Sequence, residues 1–229
     1  MEDNLNFGGH IHIPFSPVLM EYDLPEPYVK MLNDYGDKIS SSEEKSKSLD
    51  VSKQLAGNTK QELHIEEEVW GRKAEENLPT LIAWLGGCAN LYVKSSMKAL
   101  YSKEAKDIKS IQVLEGWITN QIAGDWNPFH SHGGMISGAG WLEIPESIEN
   151  DQERDQAGYL EFFYGAPQMF LNPSYFFKPK VGKMVLFPSW LWHQVQPFRG
   201  KGLRRSFSFN LATDLGDLYK KPNHVGEGY

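Results

Sequence analysis

The stretch Ile111-Gln112-Val113-Leu114-Glu115-Gly116-Trp117-Ile118-Thr119 is where the chain changes character. Ile111, Val113, Glu115, Trp117 and Thr119 alternate with Gln112, Leu114, Gly116 and Ile118, the two-residue period of a β-strand whose successive side chains point to opposite faces. Segments of the same kind follow at 128–132, 135–144, 158–164, 174–178, 183–187, 191–198 and 203–211. Turn formers separate them: Gly133-Gly134, Pro145, Gly165, Gly182, Pro188 and Gly200-Lys201-Gly202. Of the 12 Phe, 10 Tyr and 7 Trp residues, 18 fall within 111–210, where large flat side chains suit a pleated, half-buried surface. So many short strands without intervening βαβ helices predict a mainly β fold, a closed or double-sheet antiparallel jelly roll.

Upstream the period lengthens. Val29, Leu32 and Ile39 recur at helical intervals from Glu26 to about Lys47, behind Pro25 and Pro27, with Ser40-Ser41-Ser42 as a break. A second, acidic helix is expected from Thr59 through Glu76 with Leu63, Ile65 and Val69 inward, its Glu66-Glu67-Glu68 run a solvated face. A third is expected from about Pro79 to Ala105, weakened near Gly86-Gly87. No repeat or low-complexity linker divides the chain. The expectation is a single domain over 1–229, with a largely helical part at 1–110 packed on a β core at 111–215.

At 229 residues and 40% hydrophobic content the chain can bury a real core. Its net charge of −7 is the wrong sign for coating phosphates, which disfavours nucleic acid as a partner. Cys88, the single cysteine, allows neither an internal disulfide nor a thiolate zinc site, and is expected as a small buried residue on a helix in a cytoplasmic protein. Glu2, Asp3, Pro14 and Pro17 do not resemble a signal peptide, and no run of about 18 apolar residues suits a membrane. Exposed Trp and Tyr in the helical part are candidates for a homodimer face.

Any metal must therefore be held by His, Asp or Glu. Two pairs have His-x-His spacing, which on a strand puts both imidazoles on one face. His10-Ile11-His12-Ile13 has no distal partner and reads as an edge strand. His130-Ser131-His132 lies in the aromatic region, after Asp125-Trp126-Asn127-Pro128 and before Gly133-Gly134, where glycines leave room for a small molecule. His193 shares a strand face with Leu191 and Val195. Beyond it Arg204, Ser206, Ser208 and Asn210 alternate with Arg205, Phe207, Phe209 and Leu211. Inward polar groups are costly unless they meet a ligand, and an inward Arg204 with Ser206 would match a carboxylate. Arg205 reads as an exposed basic residue. Trp126, Trp141, Trp190 and Trp192 are candidates for a pocket lining or for core packing. Asn120, Asn127 and Asn210 are candidates for ligand contacts or turn closure.

His130-Ser-His132, Ser137-Gly138-Ala-Gly-Trp141-Leu142, Phe187-Pro188-Ser-Trp190-Leu-Trp-His193 and Arg204-Arg-Ser206-Phe-Ser-Phe-Asn210 together resemble the prolyl-4-hydroxylase-like Fe(II)/2-oxoglutarate oxygenases, of a type common in marine bacteria and phages. The resemblance spans about residues 111–212. It implies a double-stranded β-helix, cupin-like in form, binding Fe(II) and 2-oxoglutarate to hydroxylate an oxidisable substrate. His130 and His193 would be iron ligands, and Arg204 with Ser206 would hold the distal carboxylate of 2-oxoglutarate. His132 stands where the family has a carboxylate, and such iron sites ordinarily use two histidines and one carboxylate. His132 is the expected third ligand, because its place two residues after His130 sets it where the carboxylate would be; the alternatives are a carboxylate such as Asp125, Glu143 or Glu161, or a degenerate site. The functional alternatives are a non-catalytic metal- or anion-binding jelly roll, and a three-histidine dioxygenase that does not use 2-oxoglutarate.

Overall fold

The computed structural model describes residues 16–52, 57–150 and 156–215. His10 and His12, expected on an edge strand, lie outside the described residues.

Strand β1 (Met20–Asp23) leads into α1 (Glu26–Ser41), which buries Tyr28, Leu32, Tyr35 and Ile39 at intervals of four, three and four residues. The serine break is real: α1 stops at Ser41, and the Ser42 hydroxyl caps α2 (Glu43–Leu49) by accepting from Lys45 N at 3.3 Å. The acidic helix expected from Thr59 to Glu76 is absent. Gln61–His64 forms strand β2, followed by the one-turn helix α3 (Glu67–Trp70). Leu63 and Ile65 are both fully buried at a spacing of two, a strand's period, and β2 pairs with the strand that opens the β region. Helix α4 (Leu81–Tyr101), capped by Thr80, runs unbroken through Gly86-Gly87 and buries Leu81, Leu85, Cys88, Ala89 and Tyr92. No helix among the described residues is long and apolar enough to cross a membrane.

The remaining strands are β3 (Ile111–Gln121), β4 (Asn127–His130), β5 (Ile136–Glu143), β6 (Leu160–Phe163), β7 (Ser174–Phe177), β8 (Lys183–Pro188), β9 (Trp192–Val195) and β10 (Arg204–Thr213), with a short α5 (Glu146–Glu149) after β5. They form two antiparallel sheets, six-stranded in the order β1-β8-β5-β10-β3-β2 and four-stranded in the order β4-β9-β6-β7. This is the expected jelly roll. Strands β1 and β2, which occupy the two margins of the larger sheet, come from the part read as helical.

Alternation along β10 sorts two cores. Phe207, Phe209 and Leu211 face the helices and join Tyr28, Leu32, Ile39, Leu81 and Leu85. On the other face the space between the sheets is filled by Trp141, Leu160, Phe162, Phe177, Val185 and Phe187. The larger sheet is close-packed on its helix side: a Cβ on Gly138 would come within 2.2 Å of the Phe209 ring, and one on Gly140 within 2.2 Å of Phe207. Arg205 corrects the sequence reading. It is buried toward α1, where its Nε donates to Asn120 Oδ1 at 2.8 Å and its Nη1 to Asp37 Oδ1 at 2.8 Å.

Candidate active site

His130 ends β4 and His193 is the second residue of β9, and the two are cross-strand partners with ring centroids 4.3 Å apart. His132 lies past the end of β4, not on a strand as the spacing suggested. Its loop is nonetheless held, because its backbone N–H donates to Ser189 O at 2.9 Å. Its ring sits 4.8 Å from that of His130 and 5.0 Å from that of His193, beside Trp117 at 5.6 Å. The potential ligand atoms of the three imidazoles lie within 4.8 Å of one another.

The imidazole tautomers follow from their partners. His130 Nδ1 meets Pro128 O at 2.5 Å and His193 Nδ1 meets Leu191 O at 2.8 Å. A carbonyl only accepts, so each Nδ1 carries the hydrogen and each Nε2 keeps its lone pair for a metal. Burial lowers all three histidine pKa values, helped by mutual repulsion at His132 and His193; His132 falls to about 4 and His193 to about 3. All three rings are therefore neutral at pH 7, the form that ligates.

Arg204 faces the same cavity from β10. Its guanidinium is wholly buried, and desolvation pushes its pKa down to about 9. Among the described residues its partners are neutral: Nε donates to Gly158 O at 3.1 Å, and Nη1 to Gln121 Oε1 at 2.7 Å and Ser206 Oγ at 3.4 Å. Trp141 lines the cavity too, stacked on Phe177, and its buried indole Nε1–H has no hydrogen-bond partner among the described residues. A buried cation without an anion and an orphaned donor leave the cavity short of negative charge and acceptors.

None of the three carboxylates considered from sequence joins the imidazoles. Asp125 Oδ2 accepts from Lys60 N at 2.6 Å and Ile122 N at 2.9 Å, closing a turn. Glu161 Oε2 accepts from Gln194 at 2.7 Å and Gln196 at 2.5 Å, and Glu143 is exposed at the end of β5. Of the four tryptophans only Trp141 lines the cavity; Trp126, Trp190 and Trp192 are about half exposed. Asn120 serves Arg205, whereas Asn127 and Asn210 line the cavity, Asn210 accepting from Ser137 Oγ at 2.7 Å. Sequence reasoning missed Gln121, the closest partner of Arg204. Extending the β3 alternation from Trp117 and Thr119 by one more step finds it.

Two sheets enclosing three clustered imidazoles and a buried guanidinium form a double-stranded β-helix, and the three rings could hold a metal ion. Residues 115–210 match the sequence profile of the family described as "Putative 2OG-Fe(II) oxygenase". No curated protein matches the sequence. Among solved structures, a prolyl hydroxylase from Trichoplax adhaerens, in complex with a hypoxia inducible factor peptide fragment, is similar with a TM-score of 0.50 at 13% identity, covering 89% of this chain and 87% of that one. A viral collagen prolyl hydroxylase from Paramecium bursaria Chlorella virus-1 has a TM-score of 0.47 at 12% identity, covering 84% of this chain and 94% of that one.

Proposed function

We propose that the chain is a hydroxylase that holds Fe(II) with His130, His132 and His193 and binds 2-oxoglutarate through Arg204 and Ser206. The donor chemistry fits: three neutral imidazoles suit Fe(II), and the guanidinium and hydroxyl suit a carboxylate. The observation that carries the reading is a fully buried Arg204 with no carboxylate partner among the described residues, in the same cavity as the three rings. When bound, Fe(II) and 2-oxoglutarate supply the oxidation, in which dioxygen is consumed, 2-oxoglutarate becomes succinate and carbon dioxide, and a substrate C–H bond is hydroxylated.

The protein's own part is binding and orientation. Pro128 O and Leu191 O fix two imidazoles with Nε2 free for the metal, and the Ser189 carbonyl tethers the loop that brings His132 to them. Gln121 and Gly158 O set the direction of the Arg204 guanidinium, and Trp141 Nε1 is a further donor for a cosubstrate oxygen. Phe162 and Phe187, packed against His193, keep water from that side of the centre. A cytoplasmic setting suits the buried Cys88 thiol and a ferrous centre. Tyr101 of α4, exposed to 61%, supports a homodimer face.

The test is succinate formation from 2-oxoglutarate with added Fe(II) and ascorbate, without a prime substrate. Uncoupled turnover by the wild type that disappears in His193→Ala and Arg204→Ala is expected. Undiminished turnover in Arg204→Ala would remove Arg204 from cosubstrate binding. No turnover together with no 2-oxoglutarate binding leaves a non-catalytic jelly roll.

A further inference from the structure

The cluster contains no carboxylate, and that has a thermodynamic consequence for how the site loads. A divalent cation entering it exchanges water for three neutral rings, one of them 4% exposed, and receives no compensating negative charge from the ligands. No carboxylate joins the three rings among the described residues, and those placed around the cavity have partners elsewhere: Asp125 on backbone N–H groups, Glu161 on two glutamines, Glu115 on Asn210 Nδ2 at 3.1 Å and Glu62 on Asn127 Nδ2 at 3.5 Å. The other full charge lining the same cavity is a second cation, Arg204, which has only neutral partners among the described residues. With a carboxylate at position 132 the cavity would be one charge unit less positive at every stage of loading.

We propose that metal and 2-oxoglutarate bind this site in strong mutual dependence, each being weakly held alone, because the dicarboxylate supplies the negative charge that His132 does not. The inference rests on the reading of the cluster as the iron site. It assigns His132 a role in controlling occupancy, so that the site loads in response to the supply of 2-oxoglutarate and not of metal alone. Coupling between two ligands is reciprocal: whatever factor 2-oxoglutarate adds to metal affinity, the metal adds to 2-oxoglutarate affinity.

Calorimetric titration of metal-free protein with Co(II), with and without saturating 2-oxoglutarate, reads the coupling without turnover. Titrating 2-oxoglutarate with and without Co(II) closes the cycle. The expected result is a roughly 50-fold tightening in both directions, within the usual span of such couplings. In His132→Asp, Co(II) alone should bind more tightly and the tightening should fall to about 5-fold. Succinate, with the same two charges but no keto oxygen, should still tighten Co(II) binding to the wild type, a measurement that stands if His132→Asp fails to fold. Co(II) and 2-oxoglutarate binding independently would overturn the inference and leave the proposed function intact. Equal coupling in a folded His132→Asp, or none with succinate, would overturn its basis in charge. Failure of Co(II) to bind under every condition would overturn both the inference and the metal-site reading beneath it.

Discussion

Replacing Arg204 by Met should stabilise the unliganded protein while abolishing its response to 2-oxoglutarate. Arg204 is wholly buried, and the fall of its pKa from the ordinary guanidinium value to about 9 corresponds to roughly 5 kcal/mol of desolvation at neutral pH. The sign follows from linkage. The folded value lies below the unfolded one, so the destabilisation is complete at pH 7 and lifts only as pH climbs above about 9 toward the ordinary guanidinium value. Methionine removes that cost and fills most of the space. Against this, Gly158 O and Gln121 Oε1 lose a donor, at about 1–3 kcal/mol for each acceptor left unmet, and Gln121 can turn its amide to recover part. The net is a gain of about 1–2 kcal/mol, or roughly 5 °C in Tm for a chain of this size. Buried ions replaced by apolar groups of similar volume behave this way elsewhere. Thermal melts of metal-free wild type and Arg204→Met, and of both with Co(II) with and without millimolar 2-oxoglutarate, test it: only the wild type should gain Tm from the cosubstrate. An Arg204→Met that melts well below wild type when metal-free, yet still rises with 2-oxoglutarate when Co(II) is present, would refute the reasoning.

Gly140→Ala places a Cβ 2.2 Å from the Phe207 ring and should cost about 1–3 kcal/mol through overpacking, read as a lower urea midpoint with an unchanged slope. Arg205→Ala strands the buried Asn120 Oδ1 and opens space beside Gly36, for a loss of about 3 kcal/mol; Asp37→Asn, at a side chain 72% exposed, should change stability by under about 1 kcal/mol in the same denaturation series. Burial raises the Glu62 carboxyl from 4.5 to about 7, so the folded state binds its proton more tightly than the unfolded chain and stability falls as pH rises between those values. Glu62→Gln should therefore gain about 2–3 kcal/mol on wild type at pH 8 and nothing at pH 4.5; parallel pH profiles would contradict the assignment.

The β core was legible because its signal is local: the alternation from Ile111 survives in β3, and that of Arg204 to Asn210 puts the guanidinium on the cavity side of β10. The order His130, His193, Arg204 carried the site for the same reason. What was illegible depended on partners distant in sequence. Leu63 and Ile65 sit among charges that read as an acidic helix, and only pairing of Leu63 with Ile118 makes β2 a strand. Arg205 follows Arg204 with identical chemistry, yet is buried because α1 offers Asn33 and Asp37 from about 170 residues upstream. His132 reaches the other two rings through a loop held by Ser189, not through the strand geometry that its spacing suggested.

Strands β1 and β2 flank the larger sheet, one on each side, and both precede the strand-rich segment from Ile111 in sequence. Excising residues 111–215 would therefore strip both hems from the sheet, baring the backbone of β8 and β3 to any other extended chain. A minimal fragment cut to the boundaries of the sequence family should clump rather than fold, and the smallest soluble unit for biochemical work begins at or before Met20.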